Sequence, residues 1–120
     1  MSVADDRAAF LAVHDVSRET LAKLDTLIAT LDAWRTRSNL IGPREWPQIW
    51  TRHVGDSVQL LDFIPDTAHV VDLGSGAGFP GLVLAAGRPG GQVTLIESIG
   101  KKCAFLRAVI KAAALPAVVH

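Results

Sequence analysis

The stretch Asp72-Leu73-Gly74-Ser75-Gly76-Ala77-Gly78-Phe79-Pro80-Gly81 decides how the chain is read. His69-Val70-Val71 before it is a short apolar run of β type. Closely spaced glycines then allow positive φ angles and close approach to the backbone. Leu82 to Ala86 suits a buried helix starting near Pro80, and Gly87, Pro89, Gly90 and Gly91 end it. Gln92 to Glu97 reads as a second strand. Ser98 is placed to cap a helix from about Gly100 to Ala114, with Phe105, Leu106, Val109 and Ile110 inward. Leu115-Pro116 stops that helix, and Ala117-Val118-Val119 begins a third strand. Strand, helix, strand, helix, strand is the first half of an open parallel sheet with helical crossovers. The pattern breaks off within that third strand, so the chain is expected to be the N-terminal portion of a longer protein.

Upstream the period is helical. Phe10, Leu11 and Val13 form the apolar side of a first helix. Val16, Leu21, Leu24, Leu27, Ile28, Leu31 and Trp34 recur at helical spacing behind Ser17, a suitable N-cap. Ser38 to Pro43 is a break. Pro47 suits the first turn of a third helix carrying Ile49, Trp50 and Val54, and helical spacing continues through Val58, Leu60, Leu61, Phe63 and Ile64 to Pro65. The expected division is a helical extension over residues 1–66 and half of an α/β domain over 67–120.

Size and composition narrow the classes. The 120 residues support one domain. The lone Cys103 excludes a disulfide framework and a multi-cysteine zinc site, and reads as a small packing residue. His14, His69 and His120 have no ligand spacing, so no metal is expected. No apolar run is long enough for a membrane span, the N-terminus lacks a signal core, and a cytoplasmic setting follows as the default. The formal charge is zero, which argues against a nucleic-acid partner until it is divided. Residues 1–34 carry −3, 35–52 carry +3, 53–97 carry −4 and 98–120 carry +4. Local basic surface therefore survives the cancellation, although solvated faces of alternating sign give the same blocks. Trp34, Trp46 and Trp50 read as core rather than as stacking platforms for bases.

Two ligand classes fit the glycine loop. Gly76 to Gly81 matches the dinucleotide pattern G-x-G-x-x-G formally. The phase disagrees, because Gly74 comes first and Gly76 and Gly78 follow at spacing two. Asp72 at the strand end would also repel a pyrophosphate. It suits a ligand with a positive amino group or sulfonium, and S-adenosylmethionine is one. Glu97, ending the next strand, can accept hydrogen bonds from both ribose hydroxyls. The expected cofactor site is Asp72, Gly74, Ser75, Gly76, Gly78, Phe79 and Glu97. A Walker loop is excluded, since no Gly-Lys-Ser or Gly-Lys-Thr follows the glycines.

With Ser38-Asn39-Leu40, Arg52-His53-Val54-Gly55-Asp56-Ser57, Val71 to Gly81 and Glu97-Ser98-Ile99-Gly100-Lys101-Lys102, the chain resembles the small-subunit ribosomal RNA methyltransferase G family, also called glucose-inhibited division protein B. Order and spacing agree over roughly residues 30–116. The resemblance implies a Rossmann-like class I methyltransferase fold behind an N-terminal helical extension. It implies S-adenosylmethionine as cofactor and methylation of N7 of one guanine in a decoding-region loop of 16S rRNA. Family members continue for several more strands, and Ile41 stands where they usually have threonine.

Guanine N7 has no proton to remove at neutral pH, so such a reaction needs positioning and electrostatics rather than a general base. His53, Asp56 and Ser57 lie three and four apart, on one helix face. The resemblance places them beside the cofactor and guanine, whereas spacing alone favours a helix terminus with Asp56 or Ser57 capping the next helix. Asn39 is a site candidate or a loop-holding residue. Lys101, Lys102 and Arg107, with Arg52, are candidate RNA contacts, with a solvated face as the alternative. A non-catalytic RNA- or protein-binding module and an NAD-linked oxidoreductase are the competing functions. A monomer is the default state.

Overall fold

The computed structural model describes residues 2–120. Helix α1 (Val3–Val13) starts at a reciprocal cap: Asp5 N–H donates to Ser2 Oγ at 3.1 Å and Ser2 N–H to Asp5 Oδ2 at 3.2 Å. Ser17 caps α2 (Arg18–Trp34) through the Thr20 amide. Leu24, Leu27, Ile28 and Leu31 form the buried stripe of α2 that the spacing predicts. In α1 only Phe10 of the expected apolar side is buried; Leu11 and Val13 face solvent.

The third expected helix is not one α-helix. A 3-10 turn over Trp46–Gln48 runs into a π-helical turn over Ile49–Val54, then α3 (Gly55–Gln59) and a second 3-10 turn, Leu60–Phe63. Ile49, Trp50 and Val54 are buried as expected, but Phe63 is 82% exposed. The apolar spacing found the buried side and could not count residues per turn.

Strands β1 (His69–Leu73), β2 (Gln92–Ile96) and β3 (Ala117–Val119) pair in parallel in the order β1-β2-β3. Val71 faces Thr94 and Leu73 faces Ile96 across the first ladder. Helix α4 (Gly81–Gly87) joins β1 to β2, and α5 (Gly100–Ala113) joins β2 to β3. Ser98 does not cap α5; Ile99 is the N-cap residue and no side chain bonds the helix start. Ala114, at φ 52°, ends α5 in the left-handed region.

Helices α2, α4 and α5 share one core with Val93 and Leu95 of the sheet. Phe10 and Trp50 join it from the helical half, with ring centroids 5.4 Å apart. Trp34 and Trp46 are half-buried with an arginine over one face of each ring, Arg37 at 5.4 Å and Arg35 at 4.2 Å.

The other face of the sheet is bare. Successive strand residues point to opposite sides, so Val71, Leu73, Ile96 and Val118 stand in solvent. Apolar residues on both faces are the pattern of a parallel sheet covered on both sides. In the 120-residue chain this surface should drive self-association. Leu73→Lys, at a site 75% exposed, is expected to reduce light scattering and dye binding. It should change stability by no more than about 0.5 kcal/mol. Undiminished association in that variant would place the sticky surface elsewhere.

Candidate functional site

The glycine loop leaves the carboxyl end of β1. Gly74, Gly76 and Gly78 have φ angles of 69°, 56° and 93°, a region that side chains strongly disfavour. Their spacing of two is therefore a backbone requirement. Gly74 N–H donates to Ile96 O at 2.8 Å, tying the loop to the end of β2. Ser75 is buried and its hydroxyl donates to Asp72 O at 3.1 Å.

The two carboxylates expected at the site flank this loop. Glu97 accepts from Gly76 N–H at 2.8 Å through one oxygen and from Ile99 N–H at 3.1 Å through the other. These amide bonds, Ile99 first, hold its carboxyl below the ordinary range. Asp72 accepts the Gly81 N–H at 3.0 Å. The amides at the start of α4, which the sequence pattern offers to a ligand, are thus partly answered by the protein's own carboxylate. An anion already sits where a dinucleotide would bring its pyrophosphate. Burial pushes the Asp72 carboxyl up, with a smaller push from the Glu97 charge; the Gly81 and Ser75 hydrogen bonds oppose it.

This has a consequence for pH. A raised folded pKa favours the protonated form, so that stability is present below the ordinary value of 3.8 and lost as pH rises through the folded value. At neutral pH the ionised Asp72 therefore weakens the fold. Asp72→Asn is expected to raise the melting temperature at pH 7 while weakening any cationic ligand of the loop. A lower melting temperature would show that the Gly81 bond outweighs desolvation.

A second group of site candidates lies beside the loop. Arg52, His53, Asp56, Ser57, Leu60, Phe79 and Pro80 line an open cleft of about 240 Å³. The His53 ring tilts against Phe79 at 5.3 Å between centroids, and its Nε2 lies 3.4 Å from Glu45 Oε2. Phe79 belongs to both the loop and the cleft, so the two groups of residues form one region. Ser57 Oγ donates to His53 O at 2.7 Å, and α3 starts without a side-chain cap bond, so neither Asp56 nor Ser57 caps it. Asn39 is exposed and does not line the cleft.

The basic candidates separate. Lys101 and Lys102 sit in the first turn of α5, next to Ile99 and the loop end. Arg107 lies about 9 Å further along the helix and, with Lys111, borders β3. Cys103 is buried, with Sγ 3.1 Å from Glu97 O, as a packing residue behind the site. Glu45 was not singled out as a site residue by the sequence, because its place beside His53 is set by a loop with no apolar period.

Three parallel strands with helical crossovers, and a glycine loop between acids at the ends of β1 and β2, are part of a Rossmann-like methyltransferase fold. Residues 20–120 match a family model described as rRNA small subunit methyltransferase G, and the chain belongs to that family. It is 74% identical over its whole length to a protein of Hyphomonas neptunium, covering 58% of that protein. Over 98% of its length it is 52% identical to one of Bradyrhizobium sp. strain BTAi1, covering 54%, and over 97% it is 48% identical to one of Methylorubrum extorquens, covering 56%. All three are named ribosomal RNA small subunit methyltransferase G. The chain spans a little over half the length of these relatives. No described helix is long and apolar enough to cross a membrane.

Proposed function

We propose that the protein containing this chain transfers a methyl group from S-adenosylmethionine to N7 of a guanine in 16S rRNA. The observation that carries the cofactor is the loop held between Asp72 and Glu97, with the start of α4 capped by Asp72 itself, and the RNA substrate is taken from the family to which the chain belongs. Asp72 beside the glycine loop favours a cationic group over a pyrophosphate, and Glu97 suits a ribose in either case. Nothing lies within 4 Å of a Cβ built on Gly74 or Gly100, so the loop and the start of α5 leave room for a ligand.

When bound, S-adenosylmethionine supplies an electrophilic methyl group on a sulfonium. Glu97, whose carboxylate accepts the Gly76 and Ile99 amides, would hold the ribose hydroxyls. Asp72 would supply negative potential to a cationic group of the ligand. The loop glycines let the ligand lie against the backbone. Arg52 and His53 orient the RNA base beside Phe79, and Lys101, Lys102 and Arg107 contact phosphates. No residue has to take a proton from N7, so the chain's part is to bind and align.

Under this reading residues 1–66 are a helical extension and 67–120 open the cofactor domain. Further segments of the longer protein cover the bare sheet face. The enzyme works in the cytoplasm on 16S rRNA or the small subunit, as a monomer. Deleting its gene is expected to remove one 7-methylguanosine from 16S rRNA, read by mass analysis. An unchanged modification profile would overturn the proposal. Calorimetry with S-adenosylhomocysteine separates an enzyme from a module that only binds RNA or protein.

A further inference from the structure

Asp6, on α1, is among the most deeply buried charged residues of the chain, at 1% exposure. Its Oδ2 accepts the amides of Trp50 at 2.8 Å and Thr51 at 3.0 Å, and its Oδ1 accepts the Thr51 hydroxyl at 2.6 Å. Those amides belong to the first turn of the π-helical segment Ile49–Val54, where helix donors have no partner within the helix. Nothing local caps this turn. The carboxylate that answers it comes from 44 residues upstream.

The rest of α1 grips the same segment. Arg7 stands 5.5 Å over the Trp50 ring while its guanidinium bonds both Asp25 oxygens at 2.8 and 2.9 Å. Phe10 packs on Trp50, and His14 stacks on Phe10 at 4.9 Å. At the far end, His14 Nε2 lies 3.3 Å from where a Cβ on Gly55 would stand. Between these two grips are Arg52 and His53, which line the cleft at Phe79.

We propose that Asp6 is a positioning residue for that cleft, holding the π-helical turn that presents Arg52 and His53 to it. The inference rests on the methyltransferase reading for its consequence in catalysis, not for its geometry. π-Helical turns are rare and occur frequently at functional sites. If the turn relaxed to α geometry, a one-residue change of register would rotate each side chain by about 100° and carry His53 off Phe79. The matched family region begins at residue 20, so α1 lies outside it.

The test uses the full-length protein and NMR of the His53 ring. Asp6→Ala is expected to abolish the cross-relaxation between His53 and Phe79, and to lower kcat for methyl transfer on the order of 10–100-fold. Thr51→Val removes only the hydroxyl bond and should weaken the same signal, which keeps the test open if Asp6→Ala fails to fold. Asp6→Asn retains an acceptor for both amides and a polar group for Thr51, and should restore the signal. Leu24→Ala, a core truncation in α2, serves as a destabilised control that leaves the His53 signal in place. An unchanged His53–Phe79 signal in folded Asp6→Ala, or in Thr51→Val if the former does not fold, would overturn the proposal. So would an Asn variant as damaged as the Ala variant. A wild-type protein with no methyl transfer would refute the functional reading alone, because the ring signal is read independently.

Discussion

Gly81→Ala is expected to destabilise the protein by about 3 kcal/mol or more, the sum of an overpacking cost and a weakened charged hydrogen bond. Gly81 is buried at the first position of α4, against Leu95 and Asp72 of the sheet. A Cβ there would collide with the Leu95 side chain and stand 2.6 Å from Asp72 Oδ2. Leu95 is fully buried on the central strand and has little room to retreat. Asp72 is the cap of α4 through the Gly81 amide, so displacing it also leaves that helix start unanswered. Gly74→Ala is the informative contrast. Nothing lies within 4 Å of its Cβ position, and the cost is the positive φ alone, about 1–2 kcal/mol. Urea unfolding of the two variants should therefore rank Gly81 well above Gly74. Equal losses would mean that backbone conformation, not close packing, is what selects glycine in this loop.

Glu97→Ala should weaken S-adenosylhomocysteine binding by about 100-fold, corresponding to roughly 3 kcal/mol for two hydrogen bonds to a charged acceptor. Titration calorimetry of the full-length protein measures it. The side chain does two things at once. It is the acceptor proposed for the ribose, and it already organises the loop through the Gly76 and Ile99 amides. Glu97→Gln keeps one strong acceptor and separates these, with a smaller loss expected than for alanine. The effect of pH has the opposite sign to that of Asp72. A lowered folded pKa contributes stability that is present above the ordinary value of 4.5 and lost as pH falls through the folded value. Binding unaffected by Glu97→Ala would remove the carboxylate from the site and with it the main reason for a ribose at this end of β2.

The strands, the glycine loop and both acids were legible because each rests on neighbours in sequence. Short apolar runs mark β1 and β2, and the positions of Gly74, Gly76 and Gly78 are conformational needs that no other residue meets cheaply. The cap of α2 is likewise local, since Ser17 bonds an amide three residues away. Ser98 shows the limit of that logic. It has the right residue type before α5, yet Glu97 takes the Ile99 amide and the helix starts uncapped by any side chain. The cleft was half legible. His53, Asp56 and Ser57 do share a face, but Ser57 gives its hydroxyl to the His53 carbonyl and Asn39 stands apart.

By itself, then, the sequence determined the order of strands and helices and the chemistry of the loop, because these follow from local backbone preference and from the period of apolar side chains. Only the tertiary structure decided that Asp72 serves as the cap of α4, that Phe79 joins the loop to the His53 cleft, and that a π-helical turn replaces the expected α-helix. The last depends on Asp6, a carboxylate 44 residues away in the chain. An amide at a helix start needs an acceptor, and any buried acceptor that reaches it suffices, so the partner is set by packing and leaves no spacing to read.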